Sequence, residues 1–211
     1  MKLLFLSFII ALSIDQCAAR CVTGPKCDDP DYILFERTPT DKNNHTSLWC
    51  IKPIVVTHQI ANSEARKMCE DEGSVLTIFE NLNEYNVTIT KANTLNIPSI
   101  EYGYQLAIDG ERIPECRVRA TMNQPPCDNN DSFEMKDANS DPTWTRNNFY
   151  EGNPDMNGDD EKFEMCLGVL SLDPPVKDSF VMNDVLCTDI VDGAGVWGVW
   201  GAVCGRHAVA N

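Results

Sequence analysis

The side chains best equipped for chemistry lie late in this chain. EGNPDMNGDD, residues 151–160, gathers Glu151, Asp155, Asp159 and Asp160 around Asn153 and Asn157, with Gly152, Pro154 and Gly158 between them. Alone, the stretch reads as a solvated loop, because carboxylates and amides at this density are poor core material. Two further clusters change that reading. Glu164 stands two residues before Cys166, and Asn183-Asp184 stands just before Cys187. Asn153, Asp155, Glu164, Asn183 and Asp184 together offer three carboxylates and two amides. That mixture of charged and neutral oxygens is what a calcium ion takes in a loose oxygen cage. The amides also keep N–H groups to donate to a second ligand. Ca2+ is therefore the cofactor expected of this set.

These residues need a scaffold. YILFER (32–37) and LWCIKPIVV (48–56) are rich in β-branched and aromatic residues around a polar turn. They read as a hairpin whose base a Cys27–Cys50 bridge would tie. ANSEARKMCEDEG reads as a helix, with Asn62 as N-cap, Ala65, Met68 and Cys69 on one face, and Gly73 as the stop. SVLTIF (74–79) is a short strand. NLNEYNVTITKANTL has Asn81 as cap, Glu84 three residues on, and Tyr85, Ile89 and Ala92 at helical spacing, which gives a second helix with Asn86 on its outer face. YGYQLAIDG (102–110) alternates Tyr104, Leu106 and Ile108, the pattern of a strand with one buried face. From 111 to 165 periodicity fades. Cys116 and Cys127 bracket a Pro-containing loop there and are expected to close it locally. An irregular segment of that length in a compact domain is functional or disordered. MCLGVL (165–170), FVMNDVLC (180–187) and VWGAVC (199–204) supply three more strands. If Cys166 pairs with Cys187, Glu164 and Asn183-Asp184 are held on neighbouring strands; if Cys69 pairs with Cys204, the first helix is fastened to the last strand. Trp144, Trp197 and Trp200 read as core, and the glycine-rich 192–204 matches no phosphate loop.

Composition narrows the function classes. A chain of 211 residues suits one domain. Lys2 and the apolar run Leu3–Leu12 read as a signal peptide, cut after Ala19 or after Ser13. That run is too short to span a bilayer, and no later one approaches 18 apolar residues, so the mature protein is expected secreted, without a membrane span. Ten cysteines then mean disulfides. Sequons at Asn44 and Asn86, and a weaker one at Asn130, agree with an extracellular fate. If the signal ends at Ala19, Cys21 is left without a partner and could link two chains. With the cut after Ser13, Cys17 and Cys21 could pair locally or lie in a flexible stub. A net charge of −15 argues against nucleic acid or an anionic membrane as partner. The histidines are His45, His58 and His207, and none sits in a nucleophile–base pattern, so no enzyme is expected.

Taken in order, LWCIK (48–52), the helix with Cys69 and Gly73, YQLAIDGERI (104–113), GNPD (152–155), EMC (164–166), MNDVLC (182–187) and AVCGR (202–206) resemble the C-type lectin-like domain family over residues 27–206. IDGERIPEC, followed by a second cysteine, looks like its secreted invertebrate branch. The resemblance implies an α+β fold, with two helices flanking antiparallel strands and a long irregular ligand loop. The expected layout is a signal peptide at 1–19, a short stub at 20–26 and the domain at 27–208. The resemblance also implies the pairings Cys69–Cys204 and Cys166–Cys187, with Cys27–Cys50 in members that carry an N-terminal hairpin. In sugar-binding members the residues flanking a cis-proline, a Glu just before a cysteine and an Asn-Asp pair hold one calcium and bond two vicinal sugar hydroxyls. Those roles carry onto Asn153, Asp155, Glu164, Asn183 and Asp184. The expected function is thus a secreted, calcium-dependent carbohydrate-binding protein acting on glycans, with a part in recognising microbial surfaces. The rival expectation is a module of the same fold that binds protein or another non-sugar surface.

The chain departs from the family pattern in three places. Its proline loop reads Asn-Pro-Asp, the amide-then-acid order of galactose-type members, but Asn153 is one methylene shorter than their Gln. Phe163 is the only aromatic between Asp155 and Glu164, and Met182 stands where a tryptophan usually precedes the Asn-Asp pair. These changes leave the calcium ligands chemically complete and the sugar preference open.

Overall fold

A computed structural model describes residues 24–95, 104–122, 124–127, 130–159, 162–171, 181–188 and 198–209. The expected signal peptide, Cys17, Cys21, Asp160 and Trp197 lie outside these residues. The elements run β1 Ile33–Glu36, β2 Leu48–Val55, α1 Asn62–Asp71, β3 Val75–Leu76, α2 Leu82–Asn93, β4 Tyr104–Arg112, β5 Phe133–Glu134, α3 Thr143–Arg146, β6 Gly158–Asp159, β7 Lys162–Phe163, β8 Cys166–Ser171, β9 Met182–Val185 and β10 Val199–His207. The fold is α+β. One sheet has the order β1-β2-β10-β4-β8-β9, with β3 added against β10 and β5 against β4. β6 and β7 form a separate hairpin. The pairings are antiparallel except β10 with β4, which run parallel through Val199↔Gln105 and Ala202↔Ala107. A parallel pair needs a long crossover, and here everything between β4 and β10 supplies it.

The sheet is covered on both faces. One face carries Leu106, Ile108, Leu167, Val169 and Met182 in a core shared with Phe79, Tyr85 and Ile89 at α2. The other carries Ala107, Val185, Val199 and Ala202, packed with Ala65 and Cys69 of α1. β4 therefore does not have the single buried face its alternation suggests. Gln105, Ala107 and Asp109 are as buried as Leu106 and Ile108, because β4 lies between β10 and β8 with a helix-bearing layer on each side.

α1 begins one residue earlier than expected. Ala61 is its N-cap, while Asn62 is helical and spends its amide on the Leu167 carbonyl at 3.1 Å, tying the helix to β8. α2 starts as predicted, with the Asn81 side chain accepting from the Glu84 N–H at 3.0 Å. Glu84 is buried and takes Arg37 on both oxygens, at 2.8 and 2.9 Å. The strand expected over 74–79 is paired only at Val75–Leu76, since beyond it Thr77 spans two strands, donating to Val203 and accepting from Asp109. Asn44 and Asn86 are exposed.

Disulfides close Cys27–Cys50, Cys69–Cys204, Cys116–Cys127 and Cys166–Cys187. Lys26 and Val209 pair as an antiparallel bridge, with N–H···O distances of 3.2 and 2.9 Å, so the two ends of the described chain meet. Among the described residues, no helix is long and apolar enough to cross a membrane.

Candidate metal centre

The irregular segment is pinned to β9 before it reaches the carboxylates. Tyr150 donates its N–H to the Met182 carbonyl at 2.8 Å, and Asn153 closes a turn on Tyr150 at 2.9 Å. Gly152, at φ +88°, occupies the left-handed position of that turn, which glycine adopts without steric cost. The Asn153–Pro154 bond is cis. The chain then folds over Asp184. The N–H groups of Asp155 and Met156 point at its carboxylate, 3.2 Å from Oδ1 and 2.8 Å from Oδ2. The Asn157 N–H is shared between Asp155 Oδ1 and Glu164 Oε2, both at 3.0 Å. Glu164 answers by donating its own N–H to the Asn157 carbonyl, which closes the β6–β7 hairpin.

Asp155, Glu164 and Asp184 are thereby brought together, and one carboxylate oxygen from each lies within 4.8 Å of the others. Oxygens on opposite sides of a calcium ion, each about 2.3–2.6 Å from it, stand about 5 Å apart, so the spacing fits one shared ion. The electrostatics fit as well. Burial raises the Glu164 carboxyl to about 8, and the neighbouring charges of Asp184 and Asp155 push the same way. Burial also raises Asp184, against the opposing pull of Arg112 and the Met156 N–H. Glu164 and Asp184 thus resist ionising, and a cation beside them would stabilise their charged forms.

The two amides fare differently. Asn153 is half-buried beside Pro154 in the turn. Asn183 turns away from the carboxylates: its Nδ2 donates to Gln105 Oε1 at 3.3 Å. Strand alternation is the cause. Asp184 shares a face with Met182, in the core beneath the loop, whereas Asn183 shares the opposite face with Val185, in the core beneath α1.

Arg112 is the residue that sequence reasoning missed. Between Ile108 and Glu111 the β4–β8 register slips, so that Glu111 faces Cys166 only one residue on from Leu167. Gly110, at φ +144°, makes the slip feasible, since a Cβ there would lie 2.4 Å from Leu167 Cδ1. The bulge re-aims the end of β4. Arg112 then donates its N–H to the Met165 carbonyl at 2.7 Å and sends Nη2 to Asp184 Oδ2 at 2.8 Å, both side chains fully buried. The only signal for it in the sequence was a charge closing an apolar strand.

The expected aromatic positions are already engaged. Phe163 is half-buried and faces the Arg119 guanidinium, 5.8 Å from the ring centroid. Met182 is core, and Trp144 and Trp200 are half-buried against the same core.

A family profile described as C-type lectin domain-containing protein 141/158 matches residues 34–207. C-type lectin domain-containing protein 158 of Caenorhabditis elegans is 30% identical over 213 residues, covering 97% of this chain and 97% of that protein. C-type lectin domain-containing protein 141 of the same organism is 30% identical over 142 residues, 64% of this chain but 47% of that longer protein. Among solved structures, the human scavenger receptor C-type lectin carbohydrate-recognition domain aligns at 17% identity and a TM-score of 0.47, over 85% of this chain and 98% of that one. The matched profile and the full-length relative place this chain in the C-type lectin domain-containing protein family.

Proposed function

We propose that this protein is a secreted, calcium-dependent carbohydrate-binding protein whose ion sits between Asp155, Glu164 and Asp184. The observation that carries the reading is the convergence of three carboxylate oxygens within 4.8 Å, where the loop that holds the half-buried Asn153 meets Glu164 and β9. Those carboxylates would hold the ion, with Asn153 as the neighbouring amide. A bound calcium supplies coordination for vicinal hydroxyls of a sugar. Asn183, also of the expected ligand set, donates its Nδ2 to Gln105, a bond that leaves its Oδ1 to accept or to ligate. Secretion is proposed from Lys2 and Leu3–Leu12, and a disulfide-linked dimer from Cys21, readable by electrophoresis of the mature protein with and without reductant.

Thermal unfolding in chelator and in about 10 mM calcium tests the ion. At a dissociation constant of order 0.1 mM, linkage gives about 2.7 kcal/mol of stabilisation. For a domain of this size that is roughly 5–10 °C. Asp155→Asn is the control of choice, since Asp184→Asn would leave the buried Arg112 without its partner. The reading predicts a shift in the wild type that Asp155→Asn loses; no shift in the wild type would sink it. Competition by free galactose or mannose then tests the sugar.

A second reading, a module for protein or another non-sugar surface, is favoured by one pair of observations. Asn183 is turned to Gln105, and Met182, at the usual tryptophan position, is core. On that reading, with or without calcium, no monosaccharide competes with the ligand.

A further inference from the structure

Arg112 is a fully buried charge at the carboxylate cluster that the calcium reading leaves unused. Its guanidinium reaches Asp184 Oδ2 at 2.8 Å, the Glu164 carbonyl at 3.2 Å and Ser132 Oγ at 3.4 Å, and it lies 4.6 Å from the centroid of the Phe133 ring. It therefore holds the Asp184 carboxylate and the Glu164 backbone directly. Asp155 follows through Asp184, which accepts the Asp155 N–H. A guanidinium keeps its proton at any ordinary pH, and this one cannot swing out without stranding a buried carboxylate. Its positive charge is a permanent part of the site. With Asp155, Glu164 and Asp184 ionised at −3, Arg112 brings the cluster to −2, which a divalent ion cancels.

We propose that Arg112 is a specificity-determining residue of this site: a built-in cation that holds the Asp184 carboxylate and the Glu164 backbone in place before an ion arrives and fixes the net charge of the cluster for a divalent ion over a trivalent one. This rests on the calcium reading. Removing the charge while keeping a polar side chain, as Arg112→Gln does, leaves the cluster at −3 and favours the more highly charged ion. Arg112→Lys keeps the charge and alters only the hydrogen bonds.

Calcium and terbium(III) are titrated into wild type, Arg112→Gln and Arg112→Lys, and the ratio of terbium to calcium affinity is read. It is expected to rise at least about tenfold in the Gln variant. In the Lys variant it should stay close to the wild-type value. Limited proteolysis in chelator is expected to spare residues 150–165 in the wild type and to cut them in the Gln variant. An unchanged ratio in a Gln variant that still binds both ions overturns the proposal, as does a Lys variant that shifts as far as Gln. Should the Gln variant fail to fold, the Lys variant decides, because a tenfold shift there contradicts a role for charge. A wild type that binds neither ion brings down the calcium reading itself, and this proposal with it.

Discussion

Glu164 is the residue at which the ion-free site is least comfortable. Its carboxyl is raised to about 8, first by burial and then by Asp184 and Asp155. A carboxyl raised on folding is held protonated by the folded state. It therefore favours folding below its unfolded value near 4.5, and that contribution is lost as pH climbs through about 8. In calcium-free buffer the wild type should thus lose melting temperature relative to Glu164→Gln between pH 5 and pH 8, and added calcium should shrink the difference. Parallel melting curves for the two proteins at both pH values check this; curves that move together would contradict a protonated Glu164. The carboxylates could be found in the sequence because each stands within three residues of a cysteine or a proline that limits where it can go. Asn183 could not be separated from Asp184 in the same way, since a dipeptide does not reveal which member faces the loop. Arg112 was hidden because its partner lies 72 positions along the chain.

Among the elements, β10 and β2 approach each other closely at Gly201. A Cβ at Gly201 would lie 1.9 Å from the Ile54 carbonyl oxygen, a backbone atom that cannot turn aside. Gly201→Ala must push the strands apart and should cost about 3 kcal/mol of stability. Chemical denaturation checks this, and a loss below about 1 kcal/mol would mean the sheet yields more easily than its geometry implies. α1, α2 and β8 to β10 were legible because each has a repeating apolar pattern and, for the helices, a stop or a cap. The segment 111–165 was not. It is organised by single bonds, such as Thr145 Oγ1 to the Phe79 carbonyl, Arg146 to the Phe133 carbonyl and the Asp137 N–H to the Asp109 carboxylate. Bonds of that kind have no period. The parallel pairing of β4 with β10 was equally invisible, because side-chain alternation is the same in either strand direction.

For the molecule as a whole, the bond that closes most chain is Cys69–Cys204, with a separation of 135 residues. In the chain-entropy account such a closure contributes about 5 kcal/mol, against about 3 kcal/mol for the short Cys116–Cys127 loop, both being upper figures. Replacing Cys69 and Cys204 together by Ala should therefore lower the denaturation midpoint more than replacing Cys116 and Cys127. The reverse order would show that the short loop holds more than its own residues.

The same bonds decide what happens when the protein is pulled. Lys26 and Val209 sit side by side, so tension on the two ends first peels their two hydrogen bonds. The load then crosses at once from Cys27 to Cys50 and from Cys204 to Cys69. The segment 50–69 joins those crossings, and it is stretched together with the tail 204–209 that leads to the second of them. Asp155, Glu164 and Asp184 all lie on the ring between 69 and 204, off the line of force. Tension applied between those two ends would leave the site's shape unchanged until the segments under load themselves gave way.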